Sequence, residues 1–497
     1  MHHRVSTSTL AMMFILLGAT LAAAKTVRVP ADHPNVQSAL DAAEPGDVVS
    51  VAAGLYRERL RLRPGVTLTS DGDDAPGEAA LQRAERTIID GGGSGDAPGV
   101  VMAEGSRLDG LTITNVGSYD DDVWRQHFES RGEKLGDDEG AAGAEGTVPA
   151  VQIPAVNCVV TRCIVHHNGD VGIGVNGRDD AAAVPLVAEN LVYRNMGGGI
   201  GVAGGAQAVI ERNICRENLR AGIGCRASAP LIVGNLCTGN VRAGIGCREG
   251  ARPVIRDNRC HNNRRAGIGI RMENTAPHVA ENECIENGLA GIGVRDGAAP
   301  LLIRNECRSN ERAGIGVESG ARPSLQDNRC IDNRLVAIGV IGNSTATIIG
   351  NELTRTGGPA PLIAVREGST ATIQQNRLSG GGVAAILVQG TANISDNTFT
   401  ARSDNQGTAV WIWKDSTAGI HDNTIDGYRT AVKADQSRVT ITGNQVRRFQ
   451  QVAIIVNDTP EPACIYGNTA VSEHQTDRVV KVTGTPGVVS DNHLKSE

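Results

Sequence analysis

The sequence predicts an all-β solenoid of stacked parallel coils, and three observations carry that prediction. The first is composition: 497 residues hold 62 glycines but only Phe 4, Tyr 5 and Trp 3. Conventional domains draw much of their buried area from aromatic side chains, whereas a repeating frame of small aliphatic residues does not need them. The second is an asparagine that returns fourteen times from Asn190 to Asn492 at a mean interval near 23 residues, each time three residues after a Val, Ile or Leu. The third is a short strand inside the same period, read as AGIGC at 221–225 and 243–247, AGIGI at 266–270, and AGIGV at 290–294 and 313–317. A unit of that size cannot bury its apolar face alone and must stack on its neighbours.

Taken from the N-terminus, residues 1–24 read as a secretory signal: Arg4, an apolar stretch from Leu10 to Leu21, then Ala22-Ala23-Ala24. That stretch is too short for a convincing membrane span, and no later segment is expected to cross a bilayer. A periplasmic or extracellular protein from Lys25 onward is expected, in a compartment that permits disulfides. Val36, Ala39, Leu40 and Ala43 have helical spacing, so residues 35–43 are read as a short helix capping the first coil. An open solenoid end would otherwise expose an unpaired edge. The remainder, 25–497, is read as one solenoid of about 17 coils at roughly 4.8 Å each, interrupted by a loop at 116–148. A net charge of −7 offers no basic footprint for nucleic acid, and the 40% hydrophobic content argues against disorder.

The asparagine column resembles the ladder that lines a tight turn in right-handed parallel β-helix proteins of the pectate-lyase-like superfamily. The opening TVRVPADHPNVQSALDAAEPGDVVSVAAGLYRERLRLRPGVTLTSDG, followed by TIIDGGG, is similar to the first coil of secreted β-helix proteins, among them pectin-esterase-like enzymes and an accessory family of nitrous oxide reductase maturation. The resemblance implies a single-stranded right-handed parallel β-helix. For function it implies only a range, because the superfamily mixes lyases, hydrolases, esterases, epimerases and non-catalytic binders.

The cysteines fall in two columns, Cys215, Cys237, Cys260, Cys284, Cys307 and Cys330 in one, Cys225 and Cys247 in the other. The spacing lacks the paired pattern of a zinc site. Small buried hydrophobes are the favoured reading; disulfides between vertical neighbours and a soft-metal thiol column are the alternatives.

Candidate chemistry gathers in three places. The loop at 116–148 carries Tyr119, Asp120, Asp121, Asp122, Trp124 and His127, and the next coil supplies His166, His167, Asp170, Arg178, Asp179 and Asp180. Loops on a rigid scaffold are where function concentrates. Lyases of the superfamily use an Arg or Lys base with acidic Ca²⁺ ligands, hydrolases use clustered Asp, and epimerase-like enzymes use Tyr and His. The resemblance therefore implies catalytic roles for Tyr119, His127, His166, His167, Asp170 and Arg178. The five aspartates Asp120, Asp121, Asp122, Asp179 and Asp180 are hard oxygen ligands suited to Ca²⁺. Neither a DPHD nor a WIDH signature is present.

The second place is the outer face of the AGIG strands. Alternation is read as turning both of their glycines outward, bordered by Arg220, Arg242, Arg265 and Arg312 on one side and Arg226, Arg248, Arg271 and Arg295 on the other. Guanidinium rows suit the carboxylates or sulfates of an acidic glycan. The third is Trp411 and Trp413, expected outward as a stacking platform for sugar rings, with Trp124 of the loop read as a further sugar contact. Two functions stay open at this point. One is a secreted protein that binds, and cleaves or epimerises, a polysaccharide. The other is a non-catalytic scaffold or accessory factor. The glycan, the metal and the oligomeric state are not legible.

Overall fold

A computed structural model describes residues 24–72, 81–130, 148–178, 183–402, 407–450, 452–472, 478–484 and 487–496; the expected signal segment lies outside them. The chain is a right-handed parallel solenoid whose three faces, over the described residues, are sheets of 19, 18 and 17 strands, here called A, B and C. Sheet A adds one strand per coil, so the coil number is close to the expected seventeen. No helix among the described residues is long and apolar enough to cross a membrane.

Helix α1, Val36–Ala42, is the expected cap, with Asn35 accepting from the Ser38 amide and Val36, Ala39 and Leu40 buried on the first coil. A short helix α2, Gln82–Arg86, precedes a strand of sheet B, and α3, Asp121–Glu129, lies within the long loop. Asp120 caps α3, its carboxylate accepting from the amides of Asp122 and Val123.

All thirteen intervals of the asparagine column are bridged. Each Nδ2 donates to the next Oδ1 at 2.8–3.0 Å, from Asn190 to Asn492. Nδ2 also donates to a backbone carbonyl of the preceding coil, as from Asn258 to Ile232, so a buried turn leaves few polar groups unsatisfied. The left-handed residue of this turn is the one before each asparagine, such as Arg212, Asp257, Glu281 and Arg304, with φ of 50 to 59°. The asparagine serves as the hydrogen-bonding rung, not as the strained residue.

A second ladder stands five residues after the first. Asn168, Asn195, Asn218, Asn240, Asn263, Asn287, Asn310 and Asn333 are linked rung to rung at 2.8–3.1 Å across the corner between sheets B and C. Arg355 ends it by donating to the Asn333 carbonyl. The six-cysteine column is fully buried and in register, Cys215 beside Cys237 through to Cys330. All eleven cysteines are free thiols, ten of them buried, and among the described residues no three His, Cys, Asp or Glu side chains group to hold a metal. Burial pushes the Cys163 thiol up to about 12, so it is inert as a nucleophile.

Candidate functional site

The AGIG strands form the middle of sheet C. Inward Ile223 and Cys225 alternate with outward Gly224 and Arg226, and the same pattern repeats in register up the sheet. Only one of the two glycine columns faces outward. A Cβ on Gly224 would meet nothing within 4 Å, whereas one on Gly244 would lie 2.7 Å from the Gly267 carbonyl oxygen and 2.9 Å from Nδ2 of Asn263. The column of Gly222 and Gly244 is thus pressed against the second ladder, which the strand alternation alone did not anticipate. The result is a groove of about 330 Å³ with a floor of Gly and Ala and walls formed by the two expected arginine rows.

The walls are electrostatically crowded. Glu249 pairs with both Arg226 and Arg248, and Arg295 lies 3.5 Å from Asp296. Arg248 is the most enclosed of these, its side chain 11% exposed. One of its terminal nitrogens, Nη2, is buried and makes no hydrogen bond. Desolvation, then the neighbouring Arg271 charge, lowers its pKa below the usual arginine value. A buried guanidinium among others is stabilised by any anion that enters.

The described part of the loop, 116–130 and 148, does not line this groove. Trp124 of α3 is 4% exposed, donates from Nε1 to the Glu217 carbonyl at 3.0 Å, and packs with Leu219 and Val241 on the corner that carries the second ladder. Arg194 covers its ring at 4.5 Å and Arg264 covers Phe128 at 4.4 Å. Trp124, read from sequence as a sugar contact, is therefore the anchor that holds α3. The three aspartates read as calcium ligands are engaged otherwise. Asp120 caps α3, while Asp121 and Asp122 pair with Arg125 and Asp121 also accepts from the Tyr119 hydroxyl. Asp179 and Asp180 lie outside the described residues, and Arg178 is exposed beside them.

His166, His167 and Tyr119 do come together, on sheet B and its corner. The Nδ1 atoms of the two histidines are 2.6 Å apart, so one must carry a proton and the other accept it. Tyr119 meets His167 edge-on at 4.8 Å, and Tyr193, in register with His166, stacks on it at 4.8 Å. Burial, reinforced by His167, drives His166 down to about 4, and burial followed by the Arg194 charge also lowers His167. Burial raises Tyr119 and Tyr193 above the usual phenol value. The sequence reading missed Tyr193, Arg194, Arg216 and Glu217. They occupy the positions of His166 and His167 one and two coils on, so the repeat offset alone would have found them.

Two further candidates have other surroundings. Asp170 is largely buried and accepts from the Val148 amide at 3.1 Å, fastening the returning end of the loop; burial raises its pKa. His127 sits on α3, its Nδ1 buried without a hydrogen-bond partner, and among the described residues no hydrogen bond or ring contact joins it to His166 or His167. Trp411 and Trp413 are stacked on one another at 5.1 Å on the outer face of sheet C, Trp413 being 43% exposed. Trp411 donates to Asp435 at 2.8 Å.

A family model described as "Right handed beta helix region" matches residues 151–299, 269–363 and 361–495. No curated protein matches the chain. Among solved structures, the periplasmic alginate epimerase AlgG is 15% identical, with 70% of this chain and 80% of that one covered at a TM-score of 0.42. The PL6 family alginate lyase AlyGC is 10% identical, covering 95% and 100% at 0.38, and the Dettilon tailspike protein gp208 is 14% identical, covering 78% and 68% at 0.39. The likeness to these structures is one of fold. With matches that span most of its length, and with three parallel sheets wound coil on coil, the chain belongs to the right-handed β-helix region family.

Proposed function

We propose that this protein binds an anionic polysaccharide along the groove of sheet C. One observation carries the reading: arginine rows flank a floor kept bare by glycine, unbroken from Arg226 through Arg248 and Arg271 to Arg295 on one side, and with Leu289 between Arg265 and Arg312 on the other. A linear polymer whose carboxylates or sulfates recur along its length suits a wall whose guanidinium groups recur along theirs. The secretory character of residues 1–24 agrees with an extracytoplasmic polymer as ligand. The charged side chains that line the groove, among the described residues, are arginines and Glu318, and the His166–Tyr119 corner stands on another sheet. Guanidinium rows are suited to anion capture, and binding is the reading favoured, with cleavage or epimerisation as the alternative.

Retention on immobilised polyuronate and on a sulfated glycan tests this. Binding that weakens steeply with salt, and by about tenfold in Arg271→Ala/Arg295→Ala, is expected. Failure of every anionic glycan to retain the folded protein would remove the proposal. Formation of unsaturated, ultraviolet-absorbing product would move the reading from binder to lyase.

A further inference from the structure

The arginine groove and the tryptophan pair lie on the same columns. The floor glycines Gly224 to Gly339 continue in register through Ala364 and Leu387 to Trp411. The row of Arg226 and Arg295 continues likewise, through Glu318, Ile341, Arg366 and Gln389, to Trp413. From Gly224 to Trp411 is eight coil steps, roughly 38 Å at about 4.8 Å per step.

Between the two ends the flanks change character. The row of Arg220 and Arg312 gives way to Leu335, which bonds through its amide to the Arg312 carbonyl, and beyond it Val383 stands on the same side. Leu335 is 52% exposed, Val383 46%, and Ile341 on the opposite side 37%. Exposed aliphatics scattered singly need no explanation, but aligned ones on a continuous face mark a contact surface. The face thus begins as two guanidinium rows and ends at the indole pair, with Arg366 and Gln389 among the aliphatics and Lys433 lying over Trp411 at 4.5 Å.

We infer that the arginine groove and the Trp411–Trp413 pair are two ends of one binding track, and that a single anionic glycan chain long enough to span both is the ligand. This rests on the polysaccharide reading above and adds to it a length requirement and a polarity. The charged groups of the chain pair with the arginines, and the apolar face of a sugar ring lies on Trp413, whose other face is already stacked on Trp411. The glycine column from Gly224 to Gly339 lets a ribbon-like chain lie close to the sheet over the arginine half, and Ala364 and Leu387 carry the face on to Trp411. Charge complementarity selects the glycan over a neutral apolar partner, since the arginine end is contiguous with the tryptophan end.

The test compares size-fractionated oligouronates, one set too short to leave the arginine half and one longer than the whole track. Calorimetry and tryptophan emission are read on the full-length protein. Long chains are expected to bind at least about tenfold more tightly than short ones. Trp413→Ala is expected to remove most of that gain while leaving short-chain affinity within about twofold. Long chains alone are expected to change the tryptophan emission, and the change should disappear in Trp411→Phe/Trp413→Ala, with Trp124 as the constant background. Equal affinity for both sizes, with Trp413→Ala silent and Arg295→Ala damaging, would overturn the single track while leaving the groove as a glycan site. No binding of either size, with Arg271→Ala/Arg295→Ala silent, would overturn both. Capture of anionic lipid vesicles without any preference for long glycans would overturn the track as a glycan site in favour of an amphiphile.

Discussion

The groove on sheet C and the aromatic corner on sheet B are built by opposite means. In the groove one pattern is repeated in successive coils, so arginine recurs at nearly every step, Leu289 excepted, and the surface has an approximate translational symmetry like that of a polymer. In the corner each residue occurs once: His166, His167 and Tyr193 meet through the register of adjacent coils, and Tyr119 and Trp124 are added where the segment carrying α3 folds back onto the coils. Repetition makes a surface suited to a repeating ligand, and singularity makes a surface suited to holding one segment in place. The second asparagine ladder lies under both, since it sets the glycine column behind the groove and the corner on which α3 docks.

The largest effect should come from breaking that shared support. Asn263→Leu removes the rung that accepts from Asn240 and donates to Asn287 and to the Cys237 carbonyl. It leaves buried partners unsatisfied, so a loss of about 4 kcal/mol is expected in chemical denaturation. Trp124→Ala should separate the regions. It empties the packing of α3 at a cost of about 3 kcal/mol, visible as early proteolysis within 116–148, while glycan retention by the groove stays unchanged. A retention that falls with it would mean that the corner and the groove are not independent.

The two glycine columns offer a finer contrast. Gly244→Ala forces a Cβ against a backbone carbonyl and is expected to cost about 2 kcal/mol. Gly246→Ala meets only the Ala221 Cβ at 3.5 Å, so its thermal stability should change by less than about 0.5 kcal/mol while the new methyl group weakens glycan binding. If both substitutions destabilise equally, the assignment of the outward column is wrong.

The smallest expected effect is pH dependence. The folded pKa of His166 is lowered to about 4 from 6.5, so the folded state binds fewer protons than the unfolded chain between those values. Stability is therefore complete above about pH 6.5 and falls as pH drops toward 4, by on the order of 1 kcal/mol for this partly buried group. His166→Gln should flatten the melting temperature over that window. An unchanged slope would show that the histidine pair is not what titrates.

Much of the fold was legible because a stacked coil repeats its sequence as it repeats its geometry. The asparagine column, the cap at 36–42 and the inward Ile and Cys rows all follow from period and alternation. The second ladder was equally legible, as an asparagine five residues after the first from Asn190–Asn195 to Asn328–Asn333, yet the stronger column masked it. The candidate site was less legible. Trp124 carries no local mark that distinguishes an anchor from a sugar contact, because its partners Leu219 and Val241 are about a hundred residues away in sequence.

The sequence by itself determined the coil, its period, its buried rows and the two arginine walls, because each depends on residues within one repeat and its copy. The tertiary structure decided which glycine column faces the groove, where α3 lies, and that the arginine rows run on into Trp411 and Trp413. Those depend on how the corner is packed and on how coils of unequal length stay in register, which no single repeat contains.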